Sequence, residues 1–322
     1  MQRISTLPPA GAPRSAGDRR PRLLVVELWG LGDLALALPF LRTASRHARV
    51  TLLAKPHAAP LLRRFCPEVE HVALTAPWTA FTGKYRLLHW PWAELRAVLR
   101  ALCARRFDAA VSVRADPRDH ALMAFAGAKL RAGFPRAGSS VLLTDRLTLP
   151  ANPHRAAQWS ALAANFGWSV SAIENPQAKI QNHVVVHTGA GHAVREWPRD
   201  RYEDIAARLR AAGWRVTLLD DSLRDLDTLL ATLATADRFI GNDSGPGHLA
   251  ALLGVPTFTI FGPQLPEVFS PVHPQAAWIE GRPCVYKPCR DSCRFSSPHC
   301  IRELTADGVW SRLSMWLPTR PA

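Results

Sequence analysis

The chain has 322 residues, 48% of them hydrophobic, and its 40 Lys and Arg against 26 Asp and Glu give a formal net charge of +14. That length suggests about two domains on a prior of ~100–200 residues each, and that apolar share excludes a disordered protein. Nucleic acid, anionic lipid and phosphorylated saccharide all suit the positive excess, but there is no zinc-finger spacing, no RNA-recognition aromatic pattern and no concentrated lysine tract, which argues against nucleic acid. No run reaches ~18 consecutive apolar residues, so no membrane span is expected. Residues 1–21 are rich in Pro, Ala, Gly and Arg and lack an apolar core. They read as a disordered leader, not a signal peptide. The expectation is a cytoplasmic protein, with peripheral contact at the inner face of the inner membrane open to its basic surface. Six cysteines in that compartment argue against a disulfide framework.

In chain order, the pattern predicts a strand at 23–28, a glycine turn, a helix at 34–45, a strand at 50–53 and a further helix. An amphipathic helix around 93–104 and a buried strand at 109–113 follow, and 169–182 reads as an interdomain linker. The second half repeats the logic: a strand at 184–187, a turn through Thr188, Gly189, Ala190 and Gly191, then a helix at 202–212 closed by Gly213. A strand at 214–219, a helix through 226–233 and a strand at 257–261 complete it. Alternation of this kind predicts parallel sheets with helices on both faces, and a ligand beyond the carboxyl ends of the strands.

The stretch Asn242-Asp243-Ser244-Gly245-Pro246-Gly247-His248 reads as a tight turn opening a helix that Gly254 closes. Pro246 suits the first helical position. Free N–H groups at such a terminus favour an anion, typically a phosphate. Arg195, just beyond the 188–191 turn, could offer a diphosphate a charge-assisted contact. His248 reads equally as a structural histidine and as a second donor to that anion.

Gly30-Leu31-Gly32-Asp33-Leu34-Ala35 nearly matches the dinucleotide fingerprint, but the second strand ends in Lys55 where that motif needs an acid. A dehydrogenase reading would need Lys55 to meet a 2′-phosphate. Asp33 reads two ways: as a helix cap, or as a carboxylate held for general base catalysis. Cys284, Cys289, Cys293 and Cys300 follow the spacing C-x4-C-x3-C-x6-C, which is not a standard zinc-ribbon pattern. They read as a structural iron or zinc site or as reduced packing cysteines. Arg114, Arg118, Arg131, Arg136 and Arg155 are candidates for an anionic acceptor, or simply solvated basic surface.

These pieces in order resemble glycosyltransferase family 9, the bacterial ADP-heptose:lipopolysaccharide heptosyltransferases. The first strand through Asp33, then Val186 to Gly191 with Arg195, Trp197 and Pro198, then Asn242 to Pro246 with His248 and Phe261-Gly262-Pro263 carry the resemblance. It implies an α/β fold of GT-B architecture, two Rossmann-like domains facing across a cleft. Residues 22–175 would bind the acceptor and residues 183–322 the nucleotide sugar, with a helix near 307–317 packing back on the first domain. It implies inverting transfer of heptose from ADP-heptose to a lipopolysaccharide inner-core or related anionic glycan, without a metal for the chemistry. Asp33 would be the base. Thr188 and Gly189 would help bind the donor, Arg195, Ser244, Gly245 and His248 would hold its diphosphate and Asp243 its sugar hydroxyls, and Asn242 would shape the turn. The segment after Leu219 looks shortened, with Asp220 or Asp221 left to meet the ribose. The cysteine cluster matches less characterised branches and protein-modifying relatives that carry iron, so another nucleotide sugar, a protein acceptor or a non-catalytic binder are the rival readings.

Overall fold

A computed structural model describes residues 20–80, 86–173, 181–220, 225–289 and 292–318. Most of the expected leader, and Asp221, therefore lie outside the described residues. The chain divides into two compact units between Ala172 and Ile173.

The first unit runs β1 (Arg22–Glu27), α1 (Leu31–His47), β2 (Arg49–Ala54), α2 (Ala58–Phe65) and β3 (Glu70–Ala73), then α3 (Trp92–Arg105) and β4 (Ala109–Ser112). It ends with α4 (Pro117–Phe125), β5 (Leu130–Gly133), β6 (Asp145–Arg146) and α5 (Arg155–Asn165). The strands form one parallel sheet in the order β3-β2-β1-β4-β5-β6. Strand β1 is buried on both faces apart from its first residue, as a central parallel strand must be. Chain progression reverses between β1 and β4, which makes their carboxyl ends the natural ligand crevice. Helices α1 and α5 pack together through Phe40 and Trp159, whose rings lie 4.9 Å apart.

The second unit runs β7 (His183–His187), α6 (Arg199–Ala211), β8 (Arg215–Leu219), α7 (Leu226–Ala234), β9 (Arg238–Asn242), α8 (Gly245–Leu252) and β10 (Thr257–Phe261). The short α9 (Pro266–Phe269), β11 (Ala277–Glu280), the short α10 (His299–Arg302) and α11 (Ala306–Trp316) follow. Its sheet is parallel in the order β11-β10-β9-β7-β8, with the reversal between β7 and β9. Gly213 and Gly254 take φ of 81° and 71° at the ends of α6 and α8, the left-handed cap that glycine adopts without a Cβ penalty.

Helix α11 buries an apolar face within the second unit. Val309 and Leu313 are fully buried with Tyr202, Ile205 and Phe258 in the second unit's own core, and Trp316 lies 5.6 Å from Phe258. The cause is the apolar stripe Val309–Leu313–Trp316, which the exposed edge strand β11 and helix α6 are placed to receive. Among the described residues no helix is long and apolar enough to cross a membrane.

Candidate functional site

In the first unit, the carboxyl ends of β1, β2 and β4 bring together Glu27, Asp33, Lys55, Arg114 and Arg155. Asp33 is the third residue of α1, whose N-cap is Gly30. It is therefore not the helix cap of the simpler sequence reading. Its carboxylate faces the rim, 18% exposed, with Oδ1 3.3 Å from Arg114 Nη1 and 3.7 Å from Arg155 Nε. The α1 N-terminus adds a favourable dipole for an anion. Arg114 follows β4, and its guanidinium stacks 3.8 Å from the centre of the Trp29 ring. Arg155 opens α5, so the α1–α5 packing delivers it to Asp33. Burial lowers its proton affinity and the Asp33 carboxylate raises it.

Glu27, which the sequence reading did not single out, is the most unusual group here. It ends β1 with 2% exposure. Its Oε1 accepts from Trp29 N at 3.1 Å, and no hydrogen-bond partner of Oε2 is present among the described residues. Burial first, then the neighbouring Asp33, push its carboxyl from the usual 4.5 up to about 8, against the pull of Arg114 and Arg155. Lys55, after β2, is shifted down by burial and back up by the same two carboxyls. Burial thus favours the neutral form of Glu27 next to an Asp33 carboxylate that two guanidiniums face. A testable consequence follows from the direction of the shift. The folded state holds the Glu27 proton more tightly than the unfolded chain does. Its contribution to stability is complete below pH 4.5 and is lost as pH rises toward about 8. Denaturant melts across that window should therefore show a decline that Glu27→Gln lacks. Parallel pH profiles for the two proteins would show that Glu27 titrates normally.

The other acceptor candidates are placed differently. Arg118 is held by Asp116, the N-cap of α4, through Nε at 2.9 Å and Nη2 at 2.6 Å. Arg131 spends its guanidinium on the carbonyls of Leu142 and Ala128. Arg136 is exposed on a surface turn. Among the described residues, Arg114 and Arg155 stand at Asp33.

In the second unit, the loops after β7 and β9 meet at the reversal point. Asn242, fully buried, ties them. Its Oδ1 accepts from Trp197 N at 3.0 Å and from Tyr202 OH at 2.9 Å. Its Nδ2 donates to the carbonyls of Thr188 at 2.9 Å and Gly189 at 3.2 Å. Asp243 is 5% exposed, and its Oδ2 lies 3.8 Å from Arg195 Nη1. Arg195 and Asp243, assigned separately from sequence, are thus a pair. Ser244 is the N-cap of α8 without a side-chain cap bond, Gly245 is the first helical residue and Pro246 the second, one place later than expected. Ser244 Oγ is buried, with no partner among the described residues. A buried hydroxyl at a helix N-terminus suits a phosphate oxygen. His248 lies one turn into α8, 7% exposed. Asp220, after β8, pairs at 3.2 Å with Arg199 Nη1 at the surface.

The cysteines of the C-terminal segment are all reduced. Burial, with Cys284 and Cys293 nearby, raises the Cys289 thiol, and burial lifts Cys300 to about 11. The four are neighbours, yet among the described residues no three His, Cys, Asp or Glu side chains converge as ligands to a metal ion.

Comparison with known proteins adds the following. Residues 223–297 match the model of glycosyltransferase family 9 (heptosyltransferase). Lipooligosaccharide heptosyltransferase 2 of Campylobacter jejuni is 31% identical over 130 residues, which are 40% of this chain and 39% of that protein. This local match thus spans about two fifths of that relative. Lipopolysaccharide heptosyltransferase 1 of Pseudomonas aeruginosa is 22% identical, covering 92% of this chain and 98% of that protein. Among solved structures, E. coli heptosyltransferase WaaC with ADP superposes with a TM-score of 0.71 at 17% identity, over 92% of this chain and all of that one. The iron-containing dodecameric glycosyltransferase TibC of enterotoxigenic E. coli gives 0.57 at 17% identity, over 92% and 78%. The two parallel-sheet α/β units have the fold of the GT-B heptosyltransferases, and the stretch across β9, α8 and β10 is similar to glycosyltransferase family 9.

Proposed function

We propose that the chain is an inverting glycosyltransferase that moves heptose from ADP-heptose to a lipopolysaccharide inner-core or related anionic glycan acceptor. The observation that carries the reading is that the family match at 223–297 contains the turn where the buried Ser244 Oγ and the first N–H groups of α8 follow Asp243, the partner of Arg195. The donor's diphosphate gains negative charge as the anomeric bond breaks, and preorganised donors act most strongly on charge that develops in the transition state. Ser244, Gly245 and Arg195 supply those donors, with His248 behind them. Asp243, oriented by Arg195, is suited to accept from sugar hydroxyls, and Thr188 and Gly189 close the other side of the turn. In the first unit Asp33 takes the proton from the attacking acceptor hydroxyl, while Arg114 and Arg155 fix its Oδ1 and offer charge to an anionic acceptor. No step of this displacement is routed through a metal.

Calorimetric titration with ADP-heptose tests the donor, with ADP, UDP-glucose and NADPH as controls. Binding of ADP and ADP-heptose alone is the expected outcome. Preference for UDP-glucose would replace the donor, and a folded protein that binds none of the four would remove the transferase reading.

A further inference from the structure

Between β3 and α3 the chain makes a short turn that carries two leucines into solvent. Leu88 is 96% exposed and Leu87 54%, and Trp92, at the start of α3, is 45% exposed. Contiguous exposed apolar side chains of this size mark an interaction site more often than scattered single ones do. The turn is held firmly. Trp92 Nε1 donates to Leu87 O at 2.8 Å, and Trp90 N donates to the same carbonyl at 3.2 Å. Trp78, Trp90 and Trp92 form a ladder of rings spaced 5.5 and 5.3 Å, and Trp78 is rooted in the first unit's core. The leucines are exposed because the core props them out.

The surroundings are basic. Arg86 precedes the leucines, and Trp92, Arg96 and Arg100 form one exposed stripe of α3 at four-residue spacing, with Arg96 Nε donating to Trp92 O at 3.2 Å. An apolar tip carrying tryptophan, fringed by arginines, has the chemistry of a membrane-surface contact: apolar groups enter the headgroup boundary and cations meet anionic lipid. A second protein is a poorer occupant, because a stable interface engages roughly 20–30 residues a side and this tip offers a few. Its position is also informative. The turn follows the carboxyl end of β3, and in a parallel sheet that is the rim on which Asp33 and Arg114 stand.

We infer that the Leu87–Leu88–Trp92 tip with Arg86, Arg96 and Arg100 docks the first unit onto an anionic lipid bilayer. Its purpose, bringing the Asp33 rim to a lipid-borne acceptor, rests on the proposed function; the docking itself does not, and it is measured without donor or acceptor. The full chain is sedimented with vesicles of phosphatidylcholine alone or with added phosphatidylglycerol. The wild type should bind the anionic vesicles and release them at high salt. Leu87→Glu with Leu88→Glu, at positions exposed enough to leave the fold intact, should lower binding by tenfold or more. Arg96→Gln with Arg100→Gln should lower it about five-fold per arginine on anionic vesicles and leave phosphatidylcholine binding unchanged. Wild-type protein that ignores anionic vesicles, or a leucine variant that binds as wild type does, overturns the inference. So does a lipid-free dimer that the leucine variant abolishes in ultracentrifugation, since the tip would then belong to a second copy.

Discussion

Asp33→Asn should lower transfer by about 10²–10⁴-fold, the range that a positioned general base typically contributes, with donor affinity nearly unchanged. The amide keeps the shape of the side chain and an oxygen facing Arg114 Nη1, but it cannot accept the acceptor's proton. The proposed donor-facing groups, Ser244, Gly245 and Arg195, belong to the second unit, so the variant leaves their side chains unchanged. Arg155, with a side chain only 12% exposed, loses a charged partner, and a modest drop of about 1–3 kcal/mol in stability is expected. Single-turnover assays alongside calorimetry decide the matter. Donor affinity falling in step with the rate would mean that Asp33 supports binding, and the assignment of the base would fail.

Asn242→Ala should be the most damaging change in the second unit. Four hydrogen bonds end on this one side chain, and it is fully buried. Removal strands the Trp197 N–H and the Tyr202 hydroxyl, both of them buried. Each unsatisfied group costs about 1–3 kcal/mol, so the two together cost about 2–6 kcal/mol, a large part of the lower end of the roughly 5–15 kcal/mol that holds a typical domain together. Thermal unfolding should show a markedly lower transition and loss of nucleotide binding. Asn242→Asp keeps the acceptor side but turns a negative oxygen toward the Thr188 and Gly189 carbonyls, and should be nearly as harmful. An alanine variant of ordinary stability would show that the network is ornamental.

How much of this could be read from the chain is uneven, for physical reasons. Strand β1, strand β7, the glycine-capped ends of α6 and α8 and the turn at Asn242 all announce themselves, because buried runs and left-handed caps are local properties. Asn242 was expected to shape its turn, and its bonds to Thr188 and Gly189 do so. Strands β3, β5 and β6 are two to four residues long, too short for a period to register. Glu27 was missed because an acid at the end of an apolar strand looks solvent-bound; its burial is produced by groups such as Arg114 and Arg155, which lie far along the chain. Arg155 reaches Asp33 only through the Phe40–Trp159 contact between α1 and α5. The amphipathic stripe of α11 predicts a helix but carries no address, so the sheet it covers could be learned only from the fold.

The knot at Asn242 has a kinetic meaning. It joins the loop after β7, the approach to α6 and the end of β9 through hydrogen bonds within the chain itself. Ordering a backbone residue costs about 1–2 kcal/mol, and here folding has already met that cost. The diphosphate of the proposed donor would meet a turn already tied by these bonds, which argues against the turn acting as a closing flap. Whatever slow step accompanies donor capture or product release must be sought in other segments, and donor association at this turn should proceed without a lag for loop rearrangement.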